Sequence, residues 1–435
     1  MLENVKEMVL QNGLKAVCLK KSDAPIVSVQ VWYKTGSVCE QDGERGISHI
    51  LEHMMFRGSQ NIASEEHARR INDCGGHCNA FTAEDVTAYL NSVPAEYLDT
   101  VLELEAERMS NLRIDNDLFE TERMVIVEEY HSYMNNPVAK AFLKFREEFF
   151  RGNPYALSPL GLLDDIQRVT AEKCGQYYSR WYRPDNAVIV VVGDVSDENH
   201  VFDRIEHHFG AKTAGESPGG LLCDIQFQHA PGVKYTKSRV DFNVPILIAG
   251  YPAPPSSHSD ALPLEILQLV LSGGESGRLH REMVRKQSVA VMSAGMNHLM
   301  RKSGMSMFFA AFTPDVSVSK VEKALKDQIR NIASEGITED EFEKVKNTTL
   351  TNRTFELYSA EGISQRIGYS EAFEGDYRIW IDRLNELKKL DRNSLVQIAR
   401  KYWSDSDCHT LYLKPRRMSP VLYVAGLAKR IFKRD

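Results

Sequence analysis

His49 and His53 stand four residues apart in "SHILEHMMF" (48–56), and Glu52 directly precedes the second of them. On an α-helix, positions i and i+4 lie on one face, one turn apart, so both imidazoles can reach a single cation. Zinc takes His nitrogens and carboxylate oxygens. A catalytic zinc keeps three protein ligands and leaves a fourth position open to water. Glu52, three residues after His49, faces the same side. As a ligand it would crowd the two imidazoles, but it suits a general base. Zinc lowers the pKa of bound water towards about 7, where a nearby carboxylate can take its proton. The plain alternative is an exposed helix whose histidines are merely solvated.

A third ligand must come from another segment. "ETERMVIVEEYHSYMNNP" (120–137) places Glu122, Glu128 and Glu129 on a predicted helix. Glu122 and Glu129 are seven apart and share a face, whereas Glu128 points about a third of a turn away. Spacing alone leaves the choice of ligand open. A second metal at the C-x₂-H-C cluster Cys74, His77 and Cys78 has no partner cluster of similar spacing. A strand with cysteines as small apolar residues accounts for that segment.

The elements that must hold these residues are set by a chain of 435 residues, 43% hydrophobic and 26% charged. Such a chain buries a sizeable core without disulfides or metal staples, so a metal here is for chemistry. The net charge of −7 disfavours a general affinity for nucleic acid. Seven scattered cysteines, an odd number, point to a reducing compartment. With no apolar signal core and no membrane-spanning run, the default reading is a cytoplasmic protein.

"GAKTAGESPGGLLCD" (210–224) reads as a linker between two halves that echo each other. Each half opens with a strand-like run, 26–37 and 243–255, followed by a helix-like segment, 44–57 and 261–272. Each later carries an amphipathic run, 98–112 and 317–336, and closes with a helix and a short strand. Thr170 and Asp391 fall at equivalent places as N-caps. The pattern predicts an internally duplicated α+β protein, two α/β-sandwich halves joined by a linker. The expected domains are 1–209 with the metal site, 225–417 without chemistry, and a basic tail at 418–435. Val421, Val424, Leu427, Ala428 and Ile431 recur at helical spacing in that tail, and Lys429, Arg430, Lys433 and Arg434 cluster at its end. An amphipathic helix touching a partner or an anionic membrane, or a solvated tail, fits that pattern.

The H-x-x-E-H order resembles the inverted zinc motif of the inverzincins. The wider chain resembles the pitrilysin and mitochondrial processing peptidase family. "GGHCNAFTAEDVTAYL" (75–90), "ERMVIVEEY", "NPYALSPLGLLDDIQRVTAEKC", "YRPDNAVIVVVGDV" and "LSGGESGRLHREMV" (271–284) carry the likeness, which spans most of residues 8 to 415 and is more specific in the first half. The resemblance implies His49, His53 and Glu129 as zinc ligands, with Glu129 at the family's spacing of 76 positions after His53. It implies Glu52 as general base and Glu122 as a supporting carboxylate that orients the site. Asn79, Ala80 and Phe81 fall on an edge strand that would pair with an extended peptide. Phe56 would line a pocket near the cut bond. Ordinary core packing is the competing account of both phenylalanines.

One departure stands out. Active single-chain members carry an Arg and a Tyr seven apart after the glycine-rich block, hydrogen-bonding the substrate near the scissile carbonyl. Here the aligned positions are Val284 and Val291, and valine donates no such bond. The resemblance therefore implies a zinc metalloendopeptidase acting on peptides or unfolded segments, and the catalytic subunit of a heterodimer whose homologous zinc-free partner supplies the Arg and Tyr. A homodimer is the other assembly the pattern allows. The competing class is a non-catalytic structural or peptide-binding subunit of the same fold.

Overall fold

The computed structural model describes residues 4–212, 234–241, 243–417 and 421–424. Eleven strands form two sheets among these residues. The first sheet holds β1 (Lys6–Val9), β2 (Lys15–Lys20), β3 (Ile26–Tyr33), β4 (His77–Thr82), β5 (Thr87–Pro94) and β6 (Ala187–Gly193), in the order β1-β2-β6-β3-β5-β4. The second holds β7 (Lys234–Val240), β8 (Ile246–Ala253), β9 (Met292–Leu299), β10 (Gly304–Ala311) and β11 (His409–Pro415), in the order β7-β11-β8-β10-β9.

Apart from β1, the two orders are the same circuit walked twice. In each sheet one parallel pair, β2–β6 or β7–β11, is followed by antiparallel neighbours. In each, a hairpin-borne strand, β4 or β9, ends the row as an edge. The α+β architecture with two homologous halves is thus written in the strand order. Central strands are buried on both faces, and β6, "AVIVVVG", is apolar throughout, as a doubly covered strand must be.

The helices that follow β3 and β8 in the chain are α1 (Ile47–Met54) and a helix at Ala261–Ser272. The amphipathic runs fold as Leu98–Ser110 and Val318–Glu335. Thr170 caps its helix through a bond accepted from the Lys173 N–H at 3.3 Å. Asp391 holds the equivalent position without a side-chain cap bond.

The chain does not divide at one boundary. Among the described residues, packing assigns those within 1–136, 154–226 and 353–382 to one unit, and those within 137–153, 227–352 and 383–435 to the other. The contiguous domains expected from the sequence, 1–209 and 225–417, are corrected in this respect: one helical segment from each half is exchanged. In the first unit the helix Ala360–Tyr369 lies on β3, where Gly368 packs against the Trp32 indole so closely that a Cβ would overlap it. In the second unit the helix Pro137–Phe149 brings Phe145 onto Gly250 of β8 with equal closeness. Binary patterning marks such helices as amphipathic but does not say which sheet they cover.

The expected linker is described only at its first residues, 210–212, and otherwise lies outside the described residues. So does most of the expected tail. Its described turn, 421–424, exposes Val421 and Val424. No helix among the described residues is long and apolar enough to cross a membrane.

Candidate metal centre

Helix α1 enters the site from a buried start. Gly46, at φ 104°, turns the chain in the left-handed region that glycine adopts without strain. The first free amides of the helix have no cap in the local sequence. They are met instead by Glu40, whose carboxylate accepts from the Gly46 N–H at 2.8 Å and the Ser48 N–H at 3.0 Å. Burial pushes the Glu40 carboxyl up to about 7, opposed by those two amides and by the Arg45 charge. Ile47, Ile50, Leu51 and Met54 anchor the inner face of α1, leaving His49, Glu52 and His53 half-buried on the other.

The second element is the helix α4 (Asn116–Asn135), numbered after α2 (Glu66–Asp73) and α3 (Leu98–Ser110), and started by Asp115, which accepts from the Asp117 and Leu118 N–H groups. Its buried positions, Phe119, Glu122 and Ile126, form one stripe. Glu129 continues that stripe where it emerges to solvent, and Glu128 is exposed beside it. The seven-residue spacing therefore places one carboxylate behind the histidines and one in front.

Donor atoms of His49, His53 and Glu129 all lie within 4.8 Å of one another. His49 Nε2 is 3.7 Å and His53 Nε2 is 3.6 Å from Glu129 Oε2. Tetrahedral zinc with bonds of about 2.1 Å separates its ligands by about 3.4 Å, so the three are nearly at ligating distance. The two rings meet edge to face with centroids 4.9 Å apart. His49 Nδ1 is buried without a hydrogen-bond partner, and burial together with the His53 charge lowers its pKa to about 4. A ring kept neutral in this way is the form a metal needs. The donor set fits zinc. Behind His53, Nδ1 meets Glu122 Oε2 at 3.2 Å, and Glu122 is almost fully buried. Glu122 thus holds the ring nitrogen of His53 opposite the one that faces Glu129.

Glu52 is half-buried on the same helix as the two histidines. Its Oε2 accepts from the Thr82 hydroxyl at 2.6 Å, at the end of β4. Burial raises its carboxyl above the usual range, against the Thr82 bond and the His53 charge. Thr82 has no role assigned from the sequence, although it lies within the quoted segment 75–90. Glu40 and Arg57 were missed too. Glu40 carries no local signal, and Arg57 simply follows α1.

Among the described residues, strand β4 is the edge of its sheet and pairs only with β5. Asn79 is exposed, and its Oδ1 accepts from the Ala80 N–H at 2.9 Å. Phe81 packs edge-on to Trp32 with centroids 5.5 Å apart. Phe56 is half-buried against His67, Tyr89 and the Arg108 guanidinium. It also lines an open cleft of 820 Å³ with Arg57, Glu65 and Asn72. Pocket lining and packing therefore both describe it. His77 meets Glu361 at 3.2 Å, while Cys74 and Cys78 are free thiols.

A helix-borne histidine pair with a carboxylate in front thus stands beside a sheet edge in an α+β half. The family is shown by comparison. Residues 15–161 match insulinase (peptidase family M16), and residues 168–349 match the peptidase M16 inactive domain. The chain belongs to peptidase family M16. It is 29% identical over 415 residues to the zinc protease PqqE of Helicobacter pylori, covering 94% of this chain and 93% of that one. It is 24% identical over 402 residues to the uncharacterized zinc protease YmxG of Bacillus subtilis, covering 92% and 96%. The crystal structure of a protease from Helicobacter pylori superposes with a TM-score of 0.88 at 27% identity, over 95% of this chain and 100% of that one. A peptidase M16 inactive domain from Pseudomonas fluorescens, at 16% identity and a TM-score of 0.85 over 96% and 99%, shares the fold.

Proposed function

We propose that this chain is a zinc-dependent endopeptidase that hydrolyses peptides or unfolded segments, and that it is the metal-bearing subunit of a two-chain enzyme. The observation that carries the reading is the convergence of His49, His53 and Glu129 with Glu52 alongside. When bound, zinc supplies Lewis acidity and a water of lowered pKa. The chain's own residues do the rest. His49, His53 and Glu129 hold the ion, and Glu122 fixes the His53 ring. Glu52 takes the water's proton and delivers it to the leaving amine. The β4 edge at Asn79, Ala80 and Phe81 aligns an extended substrate by main-chain hydrogen bonds, and Phe56 packs beside it. The six described thiols, none in a disulfide, support a cytoplasmic setting.

The test is Glu52→Gln. Zinc content of one per chain is expected to persist while cleavage of a fluorogenic peptide library falls by roughly 10²–10⁴-fold, the usual share of a general base. Wild-type rates in that variant defeat the assignment. Val284 and Val291, where a substrate-binding pair is absent, favour a second reading: a subunit that binds peptide and zinc without cutting. Wild-type chain that holds zinc and never cleaves, alone or with a homologous partner, selects it.

A further inference from the structure

His53 is tied to Glu122, but the chain of contacts does not stop there. Oε1, the second oxygen of the buried Glu122 carboxylate, is 2.7 Å from Arg57 Nη2. The same guanidinium pairs through Nη1 with Glu65, and its Nε is buried without a partner. A carboxylate–arginine–carboxylate–imidazole row thus runs from the cleft wall to a proposed metal ligand. Its outer end is built at some cost. Glu65 is one of two described non-glycine residues with positive φ, at 64°, and its N–H is bonded to the Phe56 carbonyl at 3.1 Å. Side chains rarely adopt that region. The loop after α1 is therefore closed by a backbone bond and an ion pair across the same two strands of chain.

We propose that Arg57 is a positioning residue of the metal centre: it clamps Glu122, and through Glu122 it sets the orientation of the His53 ring towards the ion. This rests on the zinc reading above. The physical reason is that a carboxylate almost removed from water needs both oxygens satisfied. Glu122 has one acceptor oxygen for His53 and one for Arg57. Without Arg57 the carboxylate turns towards other donors or solvent, and His53 Nδ1 loses the partner that fixes its ring. Partners of this kind are worth roughly 10- to 100-fold in metal affinity. Arg57 also presents two planar donors to two separate carboxylates, which the single ammonium of lysine does poorly.

The experiment uses the full chain and measures zinc affinity by chelator competition, with the visible spectrum of the cobalt-substituted protein beside it. Wild-type chain is expected to bind one zinc. Arg57→Ala is expected to bind it roughly 10- to 100-fold more weakly with an altered cobalt spectrum, and Arg57→Lys to fall between. In an Glu122→Gln background, Arg57→Ala is expected to add little, because both changes break one row. A denaturant midpoint for each variant separates loss of fold from loss of metal. If Arg57→Ala does not fold, Arg57→Lys carries the comparison. Affinity within twofold of wild type in a folded variant overturns the clamp and leaves the zinc reading intact. Wild-type chain that binds no zinc overturns both.

Discussion

Glu52 and Glu129 are the same residue type beside the same two imidazoles, and their surroundings separate them. Glu129 is nearly half exposed and faces both rings. Glu52 is more enclosed, its carboxyl raised by burial and held by Thr82. The Thr82 bond lowers the Glu52 pKa, so removing it raises that pKa further. Thr82→Val keeps the shape and deletes the donor. It is expected to move the acid limb of kcat/KM to higher pH and to reduce kcat about 10-fold, read from rate–pH profiles. An unchanged acid limb sinks this account. His49, His53 and Glu52 could be proposed from local helical spacing, and Glu122 and Glu129 from a seven-residue repeat. Thr82 and Arg57 could not, because each reaches its partner from a separate segment, and spacing carries no information about that approach.

At the scale of elements, the helix that bears the histidines depends on a carboxylate from outside itself. Glu40, with a folded pKa of about 7 against an ordinary 4.5, binds a proton more tightly in the folded chain. Its folded state therefore holds more protons between pH 4.5 and 7, and stability falls as pH rises through that window. Glu40→Gln removes the titration while leaving an acceptor for one of the two amides. The difference in unfolding free energy between wild type and this variant is expected to drift by on the order of 2 kcal/mol from pH 5 to pH 8, the wild type losing more. Parallel pH curves refute it. Element positions were legible where periodicity was strong. The helix Ala261–Ser272 coincides with its expected span, and α3 falls within 98–112. Helix starts were less so. Gly46 begins α1 with no side chain of its own to offer, and Asp391 occupies a cap position without making the bond.

The whole molecule raises two questions that single elements do not. The first is whether one chain suffices for cleavage. Val284 is partly buried against the second unit's core, whereas Val291 is 44% exposed. Val284→Arg with Val291→Tyr is expected to raise peptidase activity of the lone chain, while the arginine costs roughly 1–3 kcal/mol of stability. No gain in a folded double variant counts against the shared-site proposal. The second question is why a duplicated chain, with a readable repeat and a linker between its halves, exchanges helices between its units. The repeat was legible because strand runs and helices recur in order. The exchange was not, because Ala360–Tyr369 is patterned like any helix that covers a sheet. Its destination is written in close contacts. Ser364 Oγ meets Ser28 Oγ at 2.7 Å, the Glu361 carbonyl accepts from Gln30, and Gly368 and Tyr369 cover Trp32. Ser28, Gln30 and Trp32 are all buried on that face. Ile363 and Ile367 are buried with them. Burying each such apolar side chain contributes about 1.5–3 kcal/mol before the entropy of ordering the helix is set against it. A fragment ending at residue 212 carries the proposed metal ligands but lacks this helix. Expressed alone it is expected to bind a hydrophobic dye, show weak near-ultraviolet dichroism and unfold without a cooperative transition. Adding the fragment 213–435 is expected to restore cooperativity and one zinc per pair. Cooperative unfolding of the 1–212 fragment by itself would show that its sheet stands without the borrowed helix.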